Sequence, residues 1–267
     1  MKDNIVQVDF GVERPIDIAK VRNSRRVLSA GLISPAVEDT SYLIAGEHTP
    51  EPIKDIQDIQ KVSSWFLARG RYRDNMLFIV GINFGLRVSD LLSLRFSHLI
   101  DDEFRFRTTF PILEKKTANT RKVRKNRYVT INDAVVDAVT LYLENTPGVR
   151  LSDFMFRSES NNGRNLNKPM SRMSVDRVLK EVAGALGLEA KVATHSLRKT
   201  FAYHQMLMSN NDPRRLLLLQ KIFGHSSVAQ TLDYIGITRE EIQQAYLDLN
   251  LHGFDNYAAL IPAIGEA

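Results

Sequence analysis

The 267 residues contain no cysteine. Disulfide frameworks, cysteine-bound zinc and thiol nucleophiles are therefore excluded, and a reducing, intracellular setting fits. Long hydrophobic runs are also missing: none approaches the roughly 20 residues that cross a bilayer, so no membrane partner is expected. The opening MKDNIVQVDF has no basic flank followed by an apolar stretch, and no export signal is read there. No internal repeat or low-complexity tract is present. Acidic side chains are in deficit, 31 against 36 Lys and Arg, and the sequence pI is about 9.4. That imbalance favours an anionic partner. What remains, with 43% hydrophobic and 25% charged residues, is the composition of a globular protein able to bury a core.

The chain divides near residue 50. Residues 1–50 hold an alternating segment, IVQVDFGV (5–12), and a basic segment at 16–30 that reads as a helix. They are few for a core of their own. GEHTPEP (46–52) reads as a linker, and residues 51–267 form the second unit. There the pattern turns helical. IQDIQKVSSWFLA (56–68) is amphipathic, DNMLFIVGINFGL (74–86) is apolar nearly all round, and SDLLSLRFSHLI (89–100) reads as a further amphipathic helix. FRFRTTF (104–110) and RYVTI (127–131) read as strands flanking a basic hairpin tip. Helices resume at 133–145 behind Asn132 or Asp133, at 174–187 behind Ser174, after Thr194, and after Asp212–Pro213 with a stop at Gly224. A short helix follows Ser226–Ser227, and Thr238 with Glu241 forms a capping box for a last helix. The fold class expected is mainly α with one small antiparallel β-sheet.

Four features carry chemistry. In THSLRKTFAYHQ (194–205), His195 and Arg198 share a helix start, where outward N–H groups also favour an anion. A solvated helix start is the competing reading. In GLRVSD (85–90), Arg87 sits in an apolar stretch with Asp90 three residues on. The pair fits a structural ion pair, or an arginine oriented to grip a phosphate bidentately. The hairpin carries Lys115, Lys116, Arg121, Lys122, Arg124, Lys125 and Arg127 against Glu114 alone. That excess of positive charge favours a nucleic-acid contact over a merely solvated face. In GHSSVAQTLDYIG (224–236), His225 follows a helix-ending glycine and Tyr234 lies in the next helix. Tyr234 fits a core ring with its hydroxyl at the rim, or a nucleophile beside a phosphate-gripping cluster.

In order and spacing these four features resemble the tyrosine recombinases, the phage-integrase family, over about residues 54–250. The resemblance rests on Arg87 and Asp90 in G-L-R-V-S-D, a lysine on the hairpin, His195 and Arg198 in H-x-x-R, His225 in G-H-S-S, and Tyr234. It implies Lys116, which precedes Thr117, as the family lysine rather than Lys115. Family members carry a larger helical DNA-binding domain ahead of the catalytic one. The short leader here implies an abbreviated clamp or an accessory DNA-binding protein.

The implied reaction joins tyrosine to a 3′ phosphate of double-stranded DNA and frees a 5′ hydroxyl. Only about one tyrosine in a thousand is ionised at neutral pH, so it needs a base and a neutralised target. His195 would take or orient the proton. Arg87 and Arg198 would clamp the non-bridging oxygens, with His225 donating there too. Lys116 would protonate the leaving oxygen, and Asp90 would support Arg87. With that positive charge in place no metal is needed, no carboxylate cluster stands ready for one, and no cofactor is expected. The resemblance also implies a homotetramer on DNA and a cytoplasmic, nucleoid-associated protein. Two alternatives remain: DNA relaxation of the type IB topoisomerase kind, and a non-catalytic DNA-binding regulator.

Overall fold

The computed structural model describes residues 50–112, 127–159 and 167–235. The strand and helix expected within residues 1–49, the hairpin tip, the Thr238–Glu241 capping box and the segment beyond it lie outside the described residues. So do Lys115, Lys116, Arg121, Lys122, Arg124 and Lys125.

The described elements run α1 (Ile56–Leu67), α2 (Tyr72–Phe84), α3 (Val88–Leu91), α4 (Phe96–Leu99), β1 (Thr109–Ile112), β2 (Arg127–Thr130) and α5 (Asp133–Asn145). They continue with α6 (Arg172–Leu186), α7 (Thr194–Leu207), α8 (Pro213–Phe223) and α9 (Val228–Ile235). The architecture is mainly helical with one two-stranded antiparallel sheet, as the sequence predicts. No helix among the described residues is long and apolar enough to cross a membrane.

Helix α2 is the central element and packs against α1, α5 and α7. Most of its near-continuous apolar run is buried, from Met76, Leu77 and Phe78 through Val80 to Phe84, with Ile79 and Ile82 half-buried. The main core gathers these with Val62 and Phe66 of α1, Val135 and Val139 of α5, and Val175 and Leu179 of α6. The sheet adds Phe110 and Val129, which pair across its register. A smaller second cluster joins α7, α8 and α9 through Ala202, Met206, Leu219 and Phe223.

Several boundaries differ from the sequence reading. Residues 89–100 do not form one helix. Leu94 and Arg95 turn extended because the Leu94 carbonyl accepts from Met155 N–H at 2.9 Å and Arg95 bridges Phe154. The segment splits into single-turn α3 and α4. The first strand begins only at Thr109, because Phe104 has a positive φ of 60° and Phe106 makes an isolated bridge to Ile100. Helix α6 starts at Arg172, capped by Ser171, whose hydroxyl accepts from Ser174 N–H at 3.0 Å. Thr194 is not the cap of α7 but its first residue. Ala193 holds the cap position, and Ser196 Oγ accepts from the Ala193 N–H at 3.0 Å. The caps read at Asn132 and Asp212 are in place, as is the Gly224 stop at φ 63°.

Candidate active site

The site lies where α7, the α2–α3 turn, the end of α8 and α9 meet. Two glycines make that meeting possible. A Cβ on Gly81 would stand 2.7 Å from Leu197 Cδ1, and one on Gly85 would stand 2.5 Å from Phe201 Cδ1. Both separations are shorter than real Cβ contacts, so a side chain at either position would force its neighbour on α7 to shift. Gly85 also ends α2 with a left-handed φ of 56°, which glycine adopts without steric cost.

That close approach places Arg198. Its side chain is 1% exposed. One guanidinium nitrogen donates to the Gly85 carbonyl at 2.8 Å, and another to the Phe223 carbonyl at 3.0 Å. Arg87 approaches from the other side. It sits at the N-terminal boundary of α3 in extended conformation, and its guanidinium donates to the same Phe223 carbonyl at 3.3 Å. Two arginines far apart in sequence are thus tied to one oxygen atom. Asp90 lies one turn beyond Arg87 and is 0% exposed.

His195 opens α7 one turn before Arg198. Its pKa is held below the ordinary imidazole value, first by burial and then by Arg172, Arg198, Lys199 and Arg87. Four cations around one half-buried ring make a strongly positive pocket that favours the neutral imidazole. On the other flank, His225 Nδ1 lies 3.1 Å from Thr231 Oγ1, which fixes its ring plane. The Tyr234 ring stands 5.0 Å from that of His225, and the Arg198 guanidinium carbon lies 5.7 Å from the Tyr234 centroid.

The structure therefore brings Arg87, His195, Arg198, His225 and Tyr234 into one neighbourhood. Arg127, also predicted from the sequence, begins β2 and donates to the Phe84 carbonyl at 3.2 Å, which ties the base of the hairpin to the end of α2. Sequence reading missed Arg172, Lys199, Thr231, Phe223 and the paired glycines. Thr231 carried a faint signal, six residues after His225 in the same short segment. Arg172 meets His195 only through tertiary packing, which no local pattern reports. Among the described residues no group of three or more His, Asp or Glu side chains is placed to hold a metal ion.

The sequence matches the model of the Phage integrase family over residues 52–241, well over half of the chain. The chain belongs to that family. Among its relatives is the probable integrase/recombinase YoeC of Bacillus subtilis, 33% identical over 199 residues, covering 74% of this chain and 96% of that protein. The fold of this family member is similar to the crystal structure of XerA recombinase, with a TM-score of 0.53 at 20% identity, covering 78% of this chain and 66% of that one. It is similar also to the Tn1549 transposon integrase in complex with circular intermediate DNA, with a TM-score of 0.52 at 19% identity, covering 76% and 67%. The chain thus spans nearly all of the Bacillus relative and about two thirds of the two structures. Family and fold together make it a tyrosine-type site-specific recombinase with the catalytic-domain architecture of that group.

Proposed function

We propose that the chain cleaves and rejoins strands of double-stranded DNA through a covalent link at Tyr234. One observation carries the reading: Arg87 and Arg198 converge on the Phe223 carbonyl within reach of both His225 and Tyr234. DNA as the partner is supported by the likeness to the Tn1549 integrase, whose structure is a complex with circular intermediate DNA, and by the basic charge of the chain.

In this reading the Tyr234 oxygen attacks the scissile phosphorus, and the bond to the 5′ oxygen breaks. The neutral imidazole of His195 receives or orients the tyrosine proton, a role its depressed pKa suits. Arg87 and Arg198 neutralise the non-bridging oxygens as charge develops on them. With Nδ1 engaged by Thr231, Nε2 is the nitrogen of His225 that we assign to donating there. Asp90 supports the Arg87 turn. Lys116 is the proposed proton donor to the leaving 5′ oxygen. Lys115, Arg121, Lys122, Arg124, Lys125 and Arg127 are proposed to meet backbone phosphates. The 3′-phosphotyrosyl link keeps the phosphodiester energy, so rejoining needs no cofactor. A homotetramer on DNA is the proposed assembly, with an accessory DNA-binding protein as a further proposed partner and nucleoid association following from DNA binding.

A nicked suicide duplex tests the proposal, because release of the 5′ fragment prevents rejoining. The wild-type chain should give a covalent protein–DNA adduct, and Tyr234→Phe should bind the duplex without forming one. Exchange between two duplexes identifies recombination, whereas supercoil relaxation alone would favour the topoisomerase alternative.

A further inference from the structure

Phe223 ends α8 and belongs to none of the motifs found in the sequence. It is 0% exposed and packs with Ala202, Met206 and Leu219, which a simple core ring would also do. Its other neighbours are unlike those of a core ring. The Arg198 guanidinium carbon lies 4.0 Å from its ring centroid. The rings of His225 and Tyr234 lie 5.2 and 5.5 Å away, at tilts of 50° and 48°. Its carbonyl accepts from both Arg198 and Arg87.

We propose that Phe223 is a positioning residue for strand cleavage, its ring and carbonyl together setting Arg87, Arg198, His225 and Tyr234 relative to one another. The inference rests on the reading that these four groups perform the reaction. The face of an aromatic ring carries negative quadrupole density and attracts a guanidinium, most strongly where water is excluded. The ring and the two carbonyls that hold Arg198 are all neutral. They orient the guanidinium without placing a negative charge of their own against it. A carboxylate in the place of the ring would hold the arginine as firmly but compete with the substrate. Phe223 is also the point where chain segments near residues 87, 198, 225 and 234 meet, so a displacement there moves all four groups.

The test separates the face of the ring from its bulk. Phe223 is replaced in the full chain by 4-fluoro-, 3,5-difluoro- and 3,4,5-trifluorophenylalanine, which keep the ring shape while draining its face of negative charge. Single-turnover cleavage of the suicide duplex, DNA affinity and the thermal midpoint are measured for each. The expected result is a stepwise fall in cleavage rate, on the order of tenfold for the trifluoro ring, with affinity and midpoint unchanged. Phe223→Leu, which keeps an apolar side chain but has no face, should cleave no faster than the trifluoro variant. A cleavage rate that stays flat across the series, or falls only in step with the midpoint, overturns the proposal and leaves Phe223 a core residue. Failure of the unsubstituted chain to form any adduct would instead refute the cleavage reading, and this inference with it.

Discussion

Arg198 and Arg87 differ from the surface arginines of this chain in what holds them. Arg71 meets Asp74 and Glu181 at 2.8 Å each, pairs in which the charge is already answered. Arg198 and Arg87 each donate to backbone carbonyls, which orient a guanidinium without adding a charge of their own. Arg87→Ala and Arg198→Ala are each expected to slow single-turnover cleavage by about 10²–10³, the usual loss for one preorganised donor. DNA affinity should change far less, because many other basic residues share it. A comparable fall in affinity would assign the two arginines to binding rather than catalysis.

His195, His204 and His98 all have pKa values below the ordinary imidazole value, with burial the largest cause for each. The folded state then binds fewer protons than the unfolded one. Their contribution to stability is present above about pH 6.5, the unfolded value, and is lost as pH falls through the depressed folded values. Urea midpoints should therefore decline from about pH 7 toward pH 5, and His204→Gln should shallow that decline. A steeper decline in the variant would contradict the sign.

At the scale of elements, the joint between α2 and α7 decides the geometry. Gly85→Ala forces a side chain into left-handed backbone, at about 1–2 kcal/mol, and drives its Cβ into the Phe201 ring. Overpacking of that kind costs a further 1–3 kcal/mol or so. Gly184 offers a control. It lies within α6, and a Cβ added there would meet nothing within 4 Å, so Gly184→Ala should stabilise by about 0.5–1 kcal/mol. Denaturant midpoints that moved the same way in both variants would refute the packing argument. This joint also marks what was legible in the sequence. Helices announced themselves wherever an apolar period and a cap agreed, as from Asn132 through α5 and from Asp212 through α8. The motif residues were legible because their spacing is local. The break between α3 and α4 was not, because the groups that pull Leu94 and Arg95 straight lie some sixty residues away, at Phe154 and Met155. The roles of Gly81, Phe223 and Arg172 were hidden for the same reason, since each depends on a neighbour from a distant segment.

At the scale of the whole molecule, a chain with a formal net charge of +5 and a cluster of cations around His195 is suited to a polyanion. The proposed tetramer needs a contact between protomers. The sequence offers an apolar segment for it, LHGFDNYAALIPAIG (251–265), rich in Leu, Phe, Tyr and Ile. A head-to-tail contact closes into a ring when its rotation permits. Truncation after Asn250 should leave single-site cleavage measurable and abolish pairing of two DNA sites on native gels. Paired complexes at full strength would remove the segment from assembly.

In the proposed reaction Tyr234 becomes joined to DNA in a pocket formed by Arg87, Arg198, His195 and His225. Peptide mapping by mass spectrometry of the adduct trapped on a suicide duplex tests it most directly. The peptide containing Tyr234 should carry a nucleotide through a 3′ phosphate, leaving a 5′ hydroxyl on the released fragment. An adduct on any other residue, a link through a 5′ phosphate, or an adduct formed by the Tyr234→Phe chain would contradict it.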